Sequence, residues 1–134
     1  LPDLLLFLMA RTALAEASVE FPDLLFLGTD KEGGEIKLKI NGTSLIRSGE
    51  GQIIGRSAQH ADHVLNLEHV SRQHLRIKVK GRKIFVEDLE TLNGSAINRT
   101  DMQANSEAEI TDGDEVRIGL QQFVVRIIPD NSND

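Results

Sequence analysis

Leu75-Arg76-Ile77-Lys78-Val79-Lys80-Gly81-Arg82-Lys83-Ile84-Phe85-Val86 alternates apolar and basic side chains as far as Lys80, breaks at Gly81 and resumes with an apolar run. Alternation at period two sends one set of side chains to a core and the other to solvent, which is the pattern of a half-buried strand. Gly81 supplies the turn between this strand and the next. Outward from this stretch the pattern repeats. Ile36, Leu38 and Ile40 alternate with Lys37 and Lys39, while Val116-Arg117-Ile118 and the run from Phe123 to Ile128 add further short strands. Turn residues stand between them at Gly33-Gly34, Asn41-Gly42, Ser48-Gly49-Glu50-Gly51, Asn93-Gly94 and Asp112-Gly113-Asp114. Many short strands separated by such turns predict an all-β, antiparallel sandwich or barrel. With no Cys and no Trp, an antibody-type sandwich is disfavoured.

The whole chain has 134 residues, enough for one domain with a single core. The absence of Cys removes disulfides, thiol catalysis and thiolate-held zinc from consideration. Net charge is −6, which argues against a nucleic-acid partner held by electrostatics alone. The charge is uneven: residues 52–86 carry seven Lys and Arg against two Asp and Glu, whereas the remainder is strongly acidic. A basic stretch inside an acidic protein suits a small anionic ligand held locally.

Residues 1–20 differ from the rest. Residues 4–10 (LLLFLMA) are continuously apolar, too few to span a bilayer, which takes about 20 residues. Ala15-Glu16-Ala17 has the form of a small-residue cleavage site, but the segment lacks a basic leading region and Arg11 interrupts it. Pro2, Asp3 and the Leu, Met and Ala that follow predict an extra N-terminal helical segment instead. The expected organisation is an apolar segment over 1–20, a β-domain over 21–128 and a disordered tail over 129–134.

Three loops hold polar residues that the strands do not need: Gly55-Arg56-Ser57, Ser71-Arg72-Gln73-His74 and Thr91-Leu92-Asn93-Gly94-Ser95. Loops at the ends of strands are where a sandwich carries its sites. An Arg guanidinium is a planar fork of donors matched to phosphate oxygens. Hydroxyls and Asn amides add neutral donors, and a neighbouring Gly lets backbone come close.

In this order and spacing the loops resemble the forkhead-associated (FHA) domain. The resemblance rests on Ile54-Gly55-Arg56-Ser57, on Val70-Ser71-Arg72-Gln73-His74, and on Asp88-Leu89-Glu90-Thr91-Leu92-Asn93-Gly94-Ser95-Ala96-Ile97-Asn98, with Asp112 to Gly119 as the closing turn and strand. It implies a two-sheet β-sandwich of about eleven strands that recognises phosphothreonine in partner proteins and catalyses nothing. By that resemblance Arg56 clamps the phosphate, Ser71 donates its hydroxyl to it, and Arg72 adds charge to the phosphate or peptide. Asn93 hydrogen-bonds the peptide backbone. Gly55, His74, Thr91, Gly94 and Asn98 are motif positions with structural duties, His74 tying its own loop to the next. The implied partner is a threonine-phosphorylated protein, met in the cytoplasm, with no cofactor, nucleic acid or membrane required.

The sequence departs from the family pattern at Leu92, where a hydroxyl that reaches the phosphate is common, at Ser95, where the family has Thr, and at Arg99, which replaces a common Gly. Three other readings compete. His60, His63, His69 and His74, with Asp62 among them, fall within fifteen residues, but in a loop-like stretch rather than on a helix face where a ligand pair would form, so no metal site is expected. Ser71 and His74 could be a nucleophile and its base, but no third orienting acid and no nucleophile elbow accompany them, so no enzyme is expected. The remaining alternative is a phosphate-independent interaction or self-assembly module, acting through a sheet face or by self-association of residues 1–20.

Overall fold

The computed structural model describes residues 21–129, and all structural statements refer to them. The helical segment expected over 1–20 and the tail over 130–134 lie outside the described residues. Eleven strands and one short helix follow in the order β1 (Asp23–Thr29), β2 (Glu35–Ile40), α1 (Gly42–Arg47), β3 (Gln52–Gly55), β4 (His63–Val64), β5 (Leu75–Lys80), β6 (Lys83–Asp88), β7 (Ser95–Ile97), β8 (Thr100–Asp101), β9 (Glu107–Ile110), β10 (Glu115–Ile118) and β11 (Gln121–Ile128).

They form two sheets, one ordered β2-β1-β11-β10-β7-β8 and the other β4-β3-β5-β6-β9. The alternating residues do what their period dictates. In β5, Leu75 and Ile77 are fully buried while Lys80 is exposed, and in β2, Leu38 and Ile40 turn inward from Lys37 and Lys39. The inner faces meet in one core that includes Leu24, Ile54, Val86 and Ile118, with Phe26 edge-on to Phe123 at a centroid distance of 6.1 Å. Aromatic pairs favour that edge-to-face arrangement.

Two expectations need correction. The sandwich is not purely antiparallel, because β3 and β4 pair in parallel, Ile54 opposite His63. The loop-like histidine stretch thus contains a two-residue strand, fastened by Asp62, whose carboxylate accepts the Ile53 N–H at 2.8 Å. Asn41-Gly42, expected as a turn between strands, instead opens a helix. Asn41 caps α1, its side chain accepting the Ser44 N–H at 2.8 Å, the usual way an orphan amide of a first helical turn is satisfied. Gly42 is needed there because a Cβ would overlap the carbonyls of Phe21 and Pro22. No described helix is long and apolar enough to cross a membrane.

The topology sorts the loops by pole. Antiparallel pairing places the end of β3 beside the start of β5, the start of β5 beside the end of β6, and Ile118 of β10 beside Ser95 of β7. The turns after β1, β3, β6 and β10 therefore share one end of the sandwich. Phe21 and the last residues of β11 lie at the other, where Asp23 faces Ile128.

Candidate functional site

The three polar loops meet at the first of these poles, joined by hydrogen bonds along the backbone. Beyond the β3–β5 ladder, the Arg56 N–H donates to the Ser71 carbonyl at 2.9 Å and the Ser57 N–H to that of Arg72 at 3.4 Å. Gly55 makes the approach feasible: a Cβ there would overlap the Arg72 carbonyl.

His74 is fully buried and links the second loop to the third. Its Nδ1 accepts the Ser71 N–H at 2.9 Å. That acceptance assigns the proton of the neutral ring to Nε2, which donates to the Gly94 carbonyl at 2.8 Å. The Gly119 N–H reaches the same carbonyl at 3.0 Å, so the β10–β11 turn is bound in as well. Burial pushes the His74 pKa down, with the Gly94 carbonyl and Asp88 opposing that shift and Arg117 assisting it.

Asp88 is the hub of the third loop. One carboxylate oxygen accepts the Thr91 hydroxyl at 2.7 Å and the Ser95 hydroxyl at 2.7 Å, and the other accepts the Thr91 N–H at 3.2 Å. Thr91 Oγ1 then accepts the Gly94 N–H at 3.1 Å. Thr91 is thus spent on holding the loop. Asp88 was legible only as the first letter of the motif; the signal that could have found its role is the D-x-x-T spacing, which lets one carboxylate bind the residue three positions on.

Against this fixed frame the polar side chains keep unused capacity. Arg56 is exposed, and its Nε donates to the Val70 carbonyl at 2.8 Å. That bond orients the guanidinium and leaves both terminal nitrogens without a hydrogen bond among the described residues. Neither Arg56 nor Arg72 pairs with a carboxylate among the described residues, although seven other Lys or Arg ion pairs form there. The Ser71 hydroxyl likewise has no partner among them. Asn93 Nδ2 donates to the His69 carbonyl at 3.2 Å, which holds the side chain and leaves its oxygen as an acceptor. Leu92 sits at the tip of the loop, 92% exposed.

Asn98 does not join this group. It lies in the β7–β8 turn at the opposite pole, where its side chain donates to Asp114 at 3.1 Å and accepts the Glu115 N–H at 2.9 Å. Lys78 and Lys80 do not extend the field either, since both pair with Glu107 and hold its carboxyl below the usual range. An open groove of about 490 Å³, not anticipated from the sequence, adjoins the site beside His69, lined by Asp30, Lys31, Glu32 and Glu68 together with Leu67, Val70 and Leu120.

The histidines are dispersed. His60 bonds Ser57 at 2.8 Å, His63 bonds Gln52 at 2.6 Å, His69 lies 3.8 Å from Glu68, and His74 is engaged as described. No cluster of three or more metal-ligating side chains occurs among the described residues. His74 meets the amide of Ser71 rather than its hydroxyl, so the two are not arranged as base and nucleophile.

Residues 53–119 match the model of the FHA domain family. Over 85 residues, 63% of the chain, it is 36% identical to the FHA domain-containing protein FhaA of Mycobacterium tuberculosis, of whose length the match spans 15%. Among solved structures it resembles an FHA domain whose phosphothreonine-dependent interactions have been analysed, with 33% identity, a TM-score of 0.57, and coverage of 81% of this chain and 98% of that one. It also resembles the FhaA FHA domain complexed with the intracellular domain of Rv3910, with 33% identity, a TM-score of 0.55, and coverage of 78% and 99%. The FHA domain of CT664 from Chlamydia trachomatis, 22% identical, shares the fold at a TM-score of 0.63 over 81% and 99%. Eleven strands in two sheets, three interlocked loops at one pole and a family match across half the sequence agree: the chain belongs to the FHA domain family.

Proposed function

We propose that this domain is a phosphothreonine reader, an adaptor module that binds a threonine-phosphorylated partner without chemical change. The observation that carries the reading is the unspent hydrogen-bonding capacity of Arg56 and Ser71 on two loops whose backbones are bonded to each other. Arg56 clamps the phosphate through its terminal nitrogens, with Val70 fixing the plane of the fork. Ser71 donates its hydroxyl to the same group, and Arg72 adds charge at the rim. Asn93 presents its amide to the peptide backbone and sets its register. The similarity to an FHA domain with phosphothreonine-dependent interactions supports the choice of phosphoamino acid. The peptide beyond the phosphothreonine runs over His69 into the groove, whose lining carries Asp30, Glu32 and Glu68 against Lys31.

A charge-assisted hydrogen bond contributes about 1.5–3 kcal/mol, so loss of Arg56 weakens binding at least about tenfold. Titration of the 15N-labelled domain with a phosphothreonine peptide pool tests the placement. The amide signals of Arg56, Ser71, Arg72 and Asn93 are expected to shift together. Shifts confined to the sheet faces would favour the phosphate-independent reading.

A further inference from the structure

Arg117 stands on β10 between Val116 and Ile118, both fully buried in the core, so its side chain leaves the sheet on the outer face. Register places it opposite Ala96 of β7, and Ala96 opposite Asp101 of β8. The guanidinium crosses that row to within 3.4 Å of the Asp101 carboxylate. Ala96 between them is only 3% exposed, although it shares the outer face. The bonds that Arg117 makes do not explain this placement. Its Nε is buried without a hydrogen-bond partner among the described residues. Asp101 is 83% exposed, so solvent weakens the ion pair. A buried donor left unpaired costs stability, and an apolar side chain would cover Ala96 without that cost.

The far end of the guanidinium supplies a reason. Gly94 takes a left-handed φ of +74°, and a Cβ added there would lie 3.4 Å from Arg117 Nη2, with nothing else but its chain neighbours within 4 Å. Arg117 thus backs the Asn93-Gly94 turn. The Gly94 carbonyl accepts the His74 Nε2–H at 2.8 Å and the Gly119 N–H at 3.0 Å, while His74 Nδ1 accepts the Ser71 N–H at 2.9 Å. We propose that Arg117 is a positioning residue for phosphothreonine binding: by backing Gly94 it keeps that carbonyl on His74, and through the ring it keeps the Ser71 loop in its binding shape. This role presupposes the reading of Arg56 and Ser71 as the phosphate site. The charge of Arg117 acts in the same direction. Of the charged groups acting on His74, Asp88 of β6 favours the protonated ring and Arg117 of β10 disfavours it. Thr91, the other polar side chain on the ring at 3.3 Å, does not titrate. Protonation would turn Nδ1 from an acceptor into a donor and set it against the Ser71 N–H.

Arg117→Met keeps a stem over Ala96 and removes both the charge and the Nη2 contact, whereas Arg117→Lys keeps the charge. The Ser71 amide signal of the 15N-labelled domain, followed as the pH is lowered, reports when His74 ceases to accept it. Its midpoint is expected to move to higher pH in Arg117→Met and to stay near the native value in Arg117→Lys. Phosphothreonine-peptide affinity is expected to fall about fivefold in Arg117→Met near that midpoint, and less above it. The phosphate's own second ionisation, at about pH 6, is common to all variants, so the difference between them carries the result. An unmoved Ser71 midpoint in Arg117→Met overturns the proposal, and so does an affinity loss of equal size at every pH. Asp101→Asn, at an exposed position, serves if Arg117→Met does not fold. It leaves the Arg117 charge unopposed, so the midpoint is expected at lower pH, and an unmoved or raised midpoint overturns the proposal. The midpoints are read without peptide. A native domain that ignores phosphothreonine would therefore defeat the phosphate reading, while the Arg117–His74 linkage is decided separately.

Discussion

His74 Nδ1 accepts the Ser71 N–H at 2.9 Å, and this bond makes a buried ring part of the Ser71 loop. The acceptor exists only while the ring is neutral. Burial lowers the folded-state pKa of His74, so below about pH 6.5 the unfolded chain takes up a proton that the folded chain refuses. Stability is therefore full above that pH and falls as the pH drops through it. His63, also lowered by burial, adds to the same limb. Denaturant unfolding between pH 5 and 8 is expected to show this loss, reduced but still present in His63→Gln; a flat profile in that variant contradicts the assignment.

Gly55→Ala places a methyl group against the Arg72 carbonyl, and backbone there cannot give way as a flexible side chain would. The expected cost is about 1–3 kcal/mol, measured by thermal unfolding, together with weaker phosphopeptide binding because the Arg56 and Ser71 loops are pushed apart. Unchanged stability would mean that the loops are not packed as described.

Thr91→Val keeps the shape of the side chain and removes the hydroxyl that bridges Asp88 and Gly94. A buried carboxylate loses one of its donors, which costs on the order of 1–3 kcal/mol. Affinity should fall with the order of the loop, and Asn93 amide exchange should quicken. If only stability changes, Thr91 does not position the site.

Leu92→Ser acts in the opposite direction. The side chain is 92% exposed, so stability should stay within about 0.5 kcal/mol. The new hydroxyl stands where the family commonly places a phosphate donor, and affinity for a phosphothreonine peptide is expected to rise about tenfold. An unchanged affinity would show that the loop tip does not reach the phosphate.

Arg99 occupies a left-handed backbone conformation, φ +69°, beside Asn98 at +49°. That conformation costs a side-chain-bearing residue roughly 1–2 kcal/mol, more than its exposed ion pair with Glu115 returns. Arg99→Gly should therefore stabilise the domain by about 0.5–1 kcal/mol, raising the melting temperature by a few degrees without altering binding.

Most strands were legible because a half-buried strand writes its period into the sequence, as in Leu75 to Lys80 and Ile36 to Ile40. α1 was not: six residues are too few for helical periodicity, and Asn41-Gly42 has the same composition whether it caps a helix or turns a hairpin. The parallel β3–β4 contact was hidden for a similar reason, since two residues carry no pattern. The site residues could be picked out by motif, but their joining depends on contacts between loops fifteen or more residues apart, such as His74 to Gly94. Asp88 shows the limit most clearly, because its role exists only once Thr91 and Ser95 have closed around it.

The most direct test is fluorescence anisotropy with matched degenerate libraries carrying phosphothreonine, phosphoserine or unmodified threonine, each against the native domain and Arg56→Ala. The account predicts binding to the phosphothreonine library alone, weakened at least about tenfold in the variant. Equal binding of phosphorylated and unmodified libraries, or binding indifferent to Arg56→Ala, would contradict it.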